Sequence, residues 1–125
     1  MEFCGSRTID SYFRAQENHT AESIKSKFKD LVSGVQFLHE NGVFHRDLSV
    51  KNVLVTKNDL LKIIDFGLAT DSEALSEQFC GTLAYFSPQI MARQPYSPRA
   101  TDLWCLGVVL YVINFGVHPF GGTIS

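Results

Sequence analysis

Asp47, Asn52 and Asp65 carry the side chains in this sequence best suited to chemistry. The first two lie in FHRDLSVKNVLV (residues 44–55), where a His, an Arg, an Asp, a Lys and an Asn fall within eight positions before the chain turns apolar. Asp65 follows two isoleucines in KIIDFGLAT and precedes Phe66-Gly67. An Asp and an Asn side by side offer hard oxygen ligands, which suit a magnesium ion that keeps several waters and binds phosphate oxygens. Asp47 is not needed as a ligand and is free to accept a proton or orient a hydroxyl. Each of the three, taken singly, is also an ordinary turn former. Together, beside β-branched runs where burying charge is costly, they point to a site.

The elements around them show how they would meet. Val53–Thr56 and Leu60–Ile64 read as two short strands, joined by Lys57-Asn58-Asp59, whose side chains bond their own backbone in turns. Asn52 enters this hairpin and Asp65 leaves it, so antiparallel pairing would set them together. Upstream, Ile24, Phe28, Leu31, Val32, Val35 and Leu38 recur at helical spacing, with Thr20 as cap and Asn41-Gly42 as stop. Thr8–Glu17 has the weaker pattern of a short helix. Asp71–Gln78 is polar and non-periodic and reads as a mobile loop. Pro88–Arg93 fits one or two helical turns. Pro98 then opens a long apolar helix that Gly116 closes.

The 125 residues make at most one domain, and 45% hydrophobic with 19% charged residues is a globular balance. A net charge of -2 gives no basic field for nucleic acid or an anionic membrane. Cys4, Cys80 and Cys105 lie far apart, suggesting neither a zinc site nor a disulfide framework, and a reducing compartment follows. Cys4 itself reads as a small apolar residue rather than a reactive thiol. The apolar run Leu103–Phe115 is too short to span a bilayer. With no signal peptide before the first structured residues, a soluble intracellular, cytoplasmic chain is expected.

His45-Arg46-Asp47-Leu48 with Asn52, followed by Asp65-Phe66-Gly67, resembles the catalytic loop and magnesium-binding turn of the eukaryotic protein kinases. Other stretches agree, in kinase order. Residues 80–89, CGTLAYFSPQ, resemble the end of an activation segment. Asp102-Leu-Trp104-Cys-Leu-Gly107 resembles the start of the central helix of the large lobe, and His118-Pro-Phe120 the turn after it. Met1-Glu-Phe-Cys4-Gly resembles the hinge between lobes. The likeness is greatest to serine/threonine kinases of the calcium/calmodulin and AMP-activated kinase-related group. It implies a protein-kinase-like fold, a mainly α C-terminal lobe with a short β-hairpin, truncated at both ends. Residues 1–125 would then be a partial domain holding hinge, catalytic loop, activation segment and central buried helix, without small lobe or terminal helices.

The resemblance also implies roles, on the phosphoryl-transfer scheme general to the family. Asp47 would be the catalytic base. Asn52 and Asp65 would hold Mg2+ on the phosphates of ATP. Leu54 would pack beneath the adenine, and the backbone of Glu2 and Cys4 would bond its edge. His45 and Phe66 would stack in the core below. Arg46 would pair with a phosphate on the activation loop, and Asp102 would accept hydrogen bonds from the catalytic-loop backbone. The partners implied are a protein substrate and ATP, together with a missing small lobe or a partner kinase.

Several positions depart from the pattern. Ser49 stands where serine/threonine members carry Lys, and the nearest cation is Lys51, placed to replace that charge on the transferring phosphate. Thr82, after Gly81, matches the residue that contacts the catalytic Asp in serine/threonine members. Gln78 occupies the place of the phosphorylated Thr, and Ser76 and Glu77 are out of register with Arg46. Gln89 replaces a Glu that would pair with a later Arg. No Gly-rich loop or strand Lys precedes the motifs. Trp104, Leu106, Val108, Val109, Leu110, Val112 and Phe115 are therefore expected to leave a large apolar patch exposed. A phosphotransferase acting on Ser/Thr of proteins is the first reading, and a pseudokinase or scaffold fragment without catalysis the alternative. Small-molecule phosphotransferases share the Asp and Asn but show Gly rather than Arg before the Asp.

Overall fold

The longest helix, α2 (Ala21–Glu40), starts where Thr20 Oγ1 accepts the N–H of Ser23 and ends at Asn41, as its sequence spacing requires. Its inner face is Ile24, Leu31 and Val35, whereas Val32 drifts to the outer side and is exposed. The computed structural model describes residues 2, 3 and 5–120, with Glu2 and Phe3 described for their backbone alone. In chain order the elements are β1 (Glu2–Phe3), β2 (Ser6–Thr8), α1 (Ile9–Arg14), a 3-10 turn (Gln16–Asn18), α2, β3 (Val53–Val55), β4 (Leu61–Ile63), a second 3-10 turn (Leu83–Tyr85), α3 (Pro88–Met91) and α4 (Pro98–Phe115).

The hairpin expected from the sequence forms as β3 and β4, with Val53 opposite Ile63 and Val55 opposite Leu61. It belongs to a larger sheet than anticipated. β1 and β2 pair and add to the other edge of β3, giving four antiparallel strands in the order β1-β2-β3-β4. Residues Ser6–Thr8 are too few to show alternation, and Thr8 pairs with Leu54 instead of starting a helix; α1 begins at Ile9.

The hairpin turn is tied to the helices. Asp59 adopts a left-handed φ of 67°, which Asp tolerates. Its carboxylate lies 2.9 Å from Nζ of Lys27 on α2, and Tyr12 Oη on α1 donates to the same group at 3.4 Å. Lys27 is buried, and the Asp59 carboxylate is the partner of its ammonium there.

Helix α4 begins at Ser97, whose Oγ accepts the N–H of Ala100, with Pro98 in the first turn. Gly116 closes it at φ 75°, donating its N–H to Val112 O at 2.7 Å. The apolar patch is narrower than the sequence suggested. Leu106, Val108, Val109 and Val112 are buried against α1, α2 and the 3-10 turn at Leu83–Tyr85, and Trp104 and Leu110 are partly buried. What remains outside along the helix is Leu103 and, two turns on, Tyr111 and Phe115, 56%, 39% and 67% exposed. No described helix is long and apolar enough to cross a membrane.

Candidate active site

The loop between α2 and β3 is held by a buried carboxylate from the other end of the sequence. Asp102, in the first turns of α4 and fully buried, accepts the N–H of His45 at 2.9 Å and of Arg46 at 2.8 Å. His39, on the inner face of α2, donates its Nε2–H to the same carboxylate at 2.8 Å. These three donors satisfy a charge that would otherwise be costly to bury. They also hold Arg46 at a left-handed φ of 67°, a conformation non-glycine residues seldom adopt. The loop thereby turns back on itself at residue 46 and sends Asp47 outward.

His45 is buried beneath. Its Nδ1 accepts the N–H of Asp47 at 3.1 Å, so Nε2 carries the hydrogen and donates to Ile64 O at 2.8 Å. One ring thus links the loop to the end of β4, immediately before Asp65. Phe66 packs edge-on against it at 4.8 Å, but remains 42% exposed rather than entering the core.

Asn52 ends the loop. Its Nδ2 donates to the carbonyl of Asp47 at 2.9 Å and approaches Asp47 Oδ2 at 3.4 Å. Both partners are acceptors, so the amide nitrogen must face them and Oδ1 is left to face elsewhere. The carbonyl of Asn52 accepts the N–H of Ile64 at 2.9 Å, extending the β3–β4 pairing to the residue before Asp65. Asp65 adopts a left-handed φ of 62° and is exposed; one carboxylate oxygen has only a long 3.4 Å approach from Gly67 N. Asp47, Asn52, Asp65 and Lys51 line one cleft of about 380 Å³ together with Thr82, Leu83, Ala84, Tyr85 and His118. Asp47, Asn52 and Asp65, which the sequence proposed for one site, thus line the same cleft.

The donor set fits magnesium. Among the described residues no group of three or more His, Cys, Asp or Glu could enclose a metal by itself. One free carboxylate and one free amide oxygen suit an ion that keeps most of its water and shares phosphate oxygens.

The far wall of the cleft comes from residues 82–85. Thr82 Oγ1 donates to Asp47 Oδ1 at 2.8 Å, and Tyr85 Oη accepts the N–H of Val50 at 3.1 Å. Gly81, at φ 111°, passes so close that a Cβ would lie 3.3 Å from the carbonyl of Arg46. Burial pushes the Tyr85 phenol up to about 12, so it stays neutral. Burial, with the charge of Lys51, lowers His118, against an opposing pull from Asp10. The Cys105 thiol beneath is raised by burial and by Asp102 and Asp47, and is no nucleophile.

The remaining sequence candidates divide. Ser49 is buried and places no cation in the cleft; Lys51, exposed, supplies one. Leu54 is buried between Thr8 and Lys62 and does not contribute to the lining of this cleft. Glu2 is described only as backbone in β1, and Cys4 lies outside the described residues. Arg46 donates from Nε to Leu68 O at 2.7 Å, and its Nη1 approaches Ser76 Oγ at 3.3 Å. Ser76 reaches it despite its register because residues 76 and 96 form an antiparallel bridge. Tyr96 also donates from Oη to Gln78 O at 2.8 Å, so the segment expected to be mobile is anchored at this point. His39 and Tyr85 were not singled out in the sequence. A histidine four residues after Val35, on the apolar face of α2, is the signal that marks His39.

Comparison with known proteins shows the family of the chain. The model of the protein kinase domain matches residues 1–125. NUAK family SNF1-like kinase 1 of Homo sapiens is 36% identical over 124 residues, 98% of this chain and 19% of that protein. CBL-interacting protein kinase 12 of Oryza sativa subsp. japonica is 42% identical over 104 residues, 79% of this chain and 19% of that protein. The probable serine/threonine-protein kinase KIN1 homolog of Encephalitozoon cuniculi (strain GB-M1) is 43% identical over 95 residues, 74% of this chain and 17% of that protein. The chain thus spans less than a fifth of the length of these relatives.

Proposed function

The chain belongs to the protein kinase family, and from that premise we propose that its cleft supports transfer of the γ-phosphoryl group of magnesium-bound ATP to serine or threonine hydroxyls of protein substrates. The observation that carries the reading is the placement of Asp47, Asn52, Asp65 and Lys51 around one opening.

Each residue then has a task set by its contacts. Asp47 receives the acceptor hydroxyl; Thr82 on one oxygen and Asn52 near the other fix the plane of its carboxylate. Asn52 Oδ1 and Asp65 would hold Mg2+, which when bound neutralises charge on the phosphate oxygens. The ammonium of Lys51 adds positive charge where a buried Ser49 adds none. Arg46 and Asp102 touch no reacting group; they set the loop. Serine/threonine preference rests on the names of the relatives and on the Thr82–Asp47 contact.

The test is phosphate incorporation from labelled Mg-ATP into a Ser/Thr peptide library. Asp47→Asn should lower turnover by about a hundredfold or more. Turnover that is absent, independent of magnesium or unaffected by Asp47→Asn would overturn the reading. A non-catalytic scaffold is the second reading, favoured by the neutral, buried Ser49. Nucleotide binding without turnover would support it.

A further inference from the structure

The loop that carries Asp47 and Asn52 meets residues 82–85 through two rungs, three residues apart on both sides. The first is Thr82 Oγ1 to Asp47 Oδ1; the second is Val50 N–H to Tyr85 Oη. The second rung falls inside a β-turn. Asn52 N–H donates to Ser49 O at 3.0 Å, which makes Val50 the first central residue of a turn spanning 49–52. The central N–H of such a turn has no partner within it. Val50 is 1% exposed, so without the phenol this donor would be buried and unpaired.

We propose that Tyr85 is a positioning residue: its hydroxyl anchors the 49–52 turn, and through that turn sets Lys51 and Asn52 in the cleft. Three observations support it. Tyr85 is itself fixed, 4% exposed, its ring edge-on to His118 at 5.2 Å and its N–H bonded to Thr82 O at 2.9 Å. Burial keeps the phenol neutral, so its oxygen accepts the Val50 N–H without placing an anion beside the cleft. The turn it holds ends at Asn52, whose Nδ2 bonds the Asp47 carbonyl, so a slip at Val50 reaches both candidate catalytic groups. The inference deepens the phosphotransfer reading and rests on it for its kinetic consequence alone.

The test compares the full chain with Tyr85→Phe, Val50→Pro and the double variant. Proline suits the first central position of this turn and has no N–H. In Tyr85→Phe, exchange of the Val50 amide should rise about tenfold or more, while the Leu31 amide in the core of α2 is unchanged. Turnover should fall about tenfold with less than about a twofold change in peptide KM, the split expected when geometry rather than binding is lost. Adding Val50→Pro should recover a substantial part of that loss, because no buried donor is then left unpaired. Unchanged Val50 exchange in Tyr85→Phe, or a double variant whose losses simply multiply, would overturn the proposal. If no variant, nor the unmodified chain, shows turnover, the phosphotransfer reading fails, and the exchange comparison still decides whether Tyr85 holds the turn.

Discussion

The hydroxyl of Thr82 lies 2.8 Å from Oδ1 of Asp47, a bond across 35 positions of sequence. It joins the segment that would face a substrate to the carboxylate that would receive the substrate's proton. Thr82 is exposed, so the bond contributes little to folding, and its value lies in orientation.

Thr82→Val should therefore leave the melting temperature within about 2 °C and lower turnover about tenfold. Thermal denaturation and initial-rate kinetics on one preparation check this. A melting temperature that falls as steeply as turnover would show that the contact is merely structural.

Asp102→Ala should be among the most damaging substitutions. It strips the two backbone donors at His45 and Arg46, and His39, of their buried acceptor. The expected loss is about 3 kcal/mol or more, from the orphaned polar groups together. Denaturant unfolding measures it, provided the transition is two-state.

At the hairpin turn the two partners should not be equivalent. Lys27→Met keeps the stem's packing and loses an ion pair whose acid is 64% exposed, a cost of about 1 kcal/mol or less. Asp59→Ala leaves the Lys27 ammonium buried without its carboxylate and puts alanine at a left-handed φ, so about 2 kcal/mol is expected. Equal losses would mean that the pair is not what holds the turn.

His118 gives the fold an acid sensitivity. Burial, aided by Lys51, holds its folded pKa below the ordinary value of 6.5. Between that value and the lower folded one, the unfolded chain binds more protons, so stability falls as pH drops through this window. Above the ordinary value the effect vanishes. His118→Phe should flatten this part of the stability-versus-pH curve, as read by denaturant titrations in a series of buffers. The residues that face His118, Asp10 and Lys51 by charge and Tyr85 by contact, remain in place in that variant.

Much of this molecule was legible in its letters, for identifiable reasons. Thr20, Ser97, Pro98 and Gly116 are strong local signals, and the helices they bound begin and end where these residues stand. The β3–β4 ribbon was legible because β-branched runs flank a turn-forming segment, and Asn52 and Asp65, at its two ends, line one cleft. β2 was not legible: three residues carry no period, and their pairing with β1 and β3 depends on neighbours that local sequence does not name. The Arg46–Ser76 contact was missed because counting along the chain ignores the bridge between Ser76 and Tyr96. The burial of Val108 and Val112 depends on where α1 and α2 dock, which helical spacing alone does not state.

The anchoring of Arg46 has a consequence for how the molecule acquires its cleft. The acceptor that holds this residue, the Asp102 carboxylate, lies 56 positions from Arg46 and 63 from His39, so the local bonds of the loop are completed by a distant partner. Closing such long segments is entropically slow, and local helices and hairpins form first. The opening around Asp47 should thus be a late product of folding and an early loss on heating, vanishing once α4 undocks while α2 and the β3–β4 ribbon still persist.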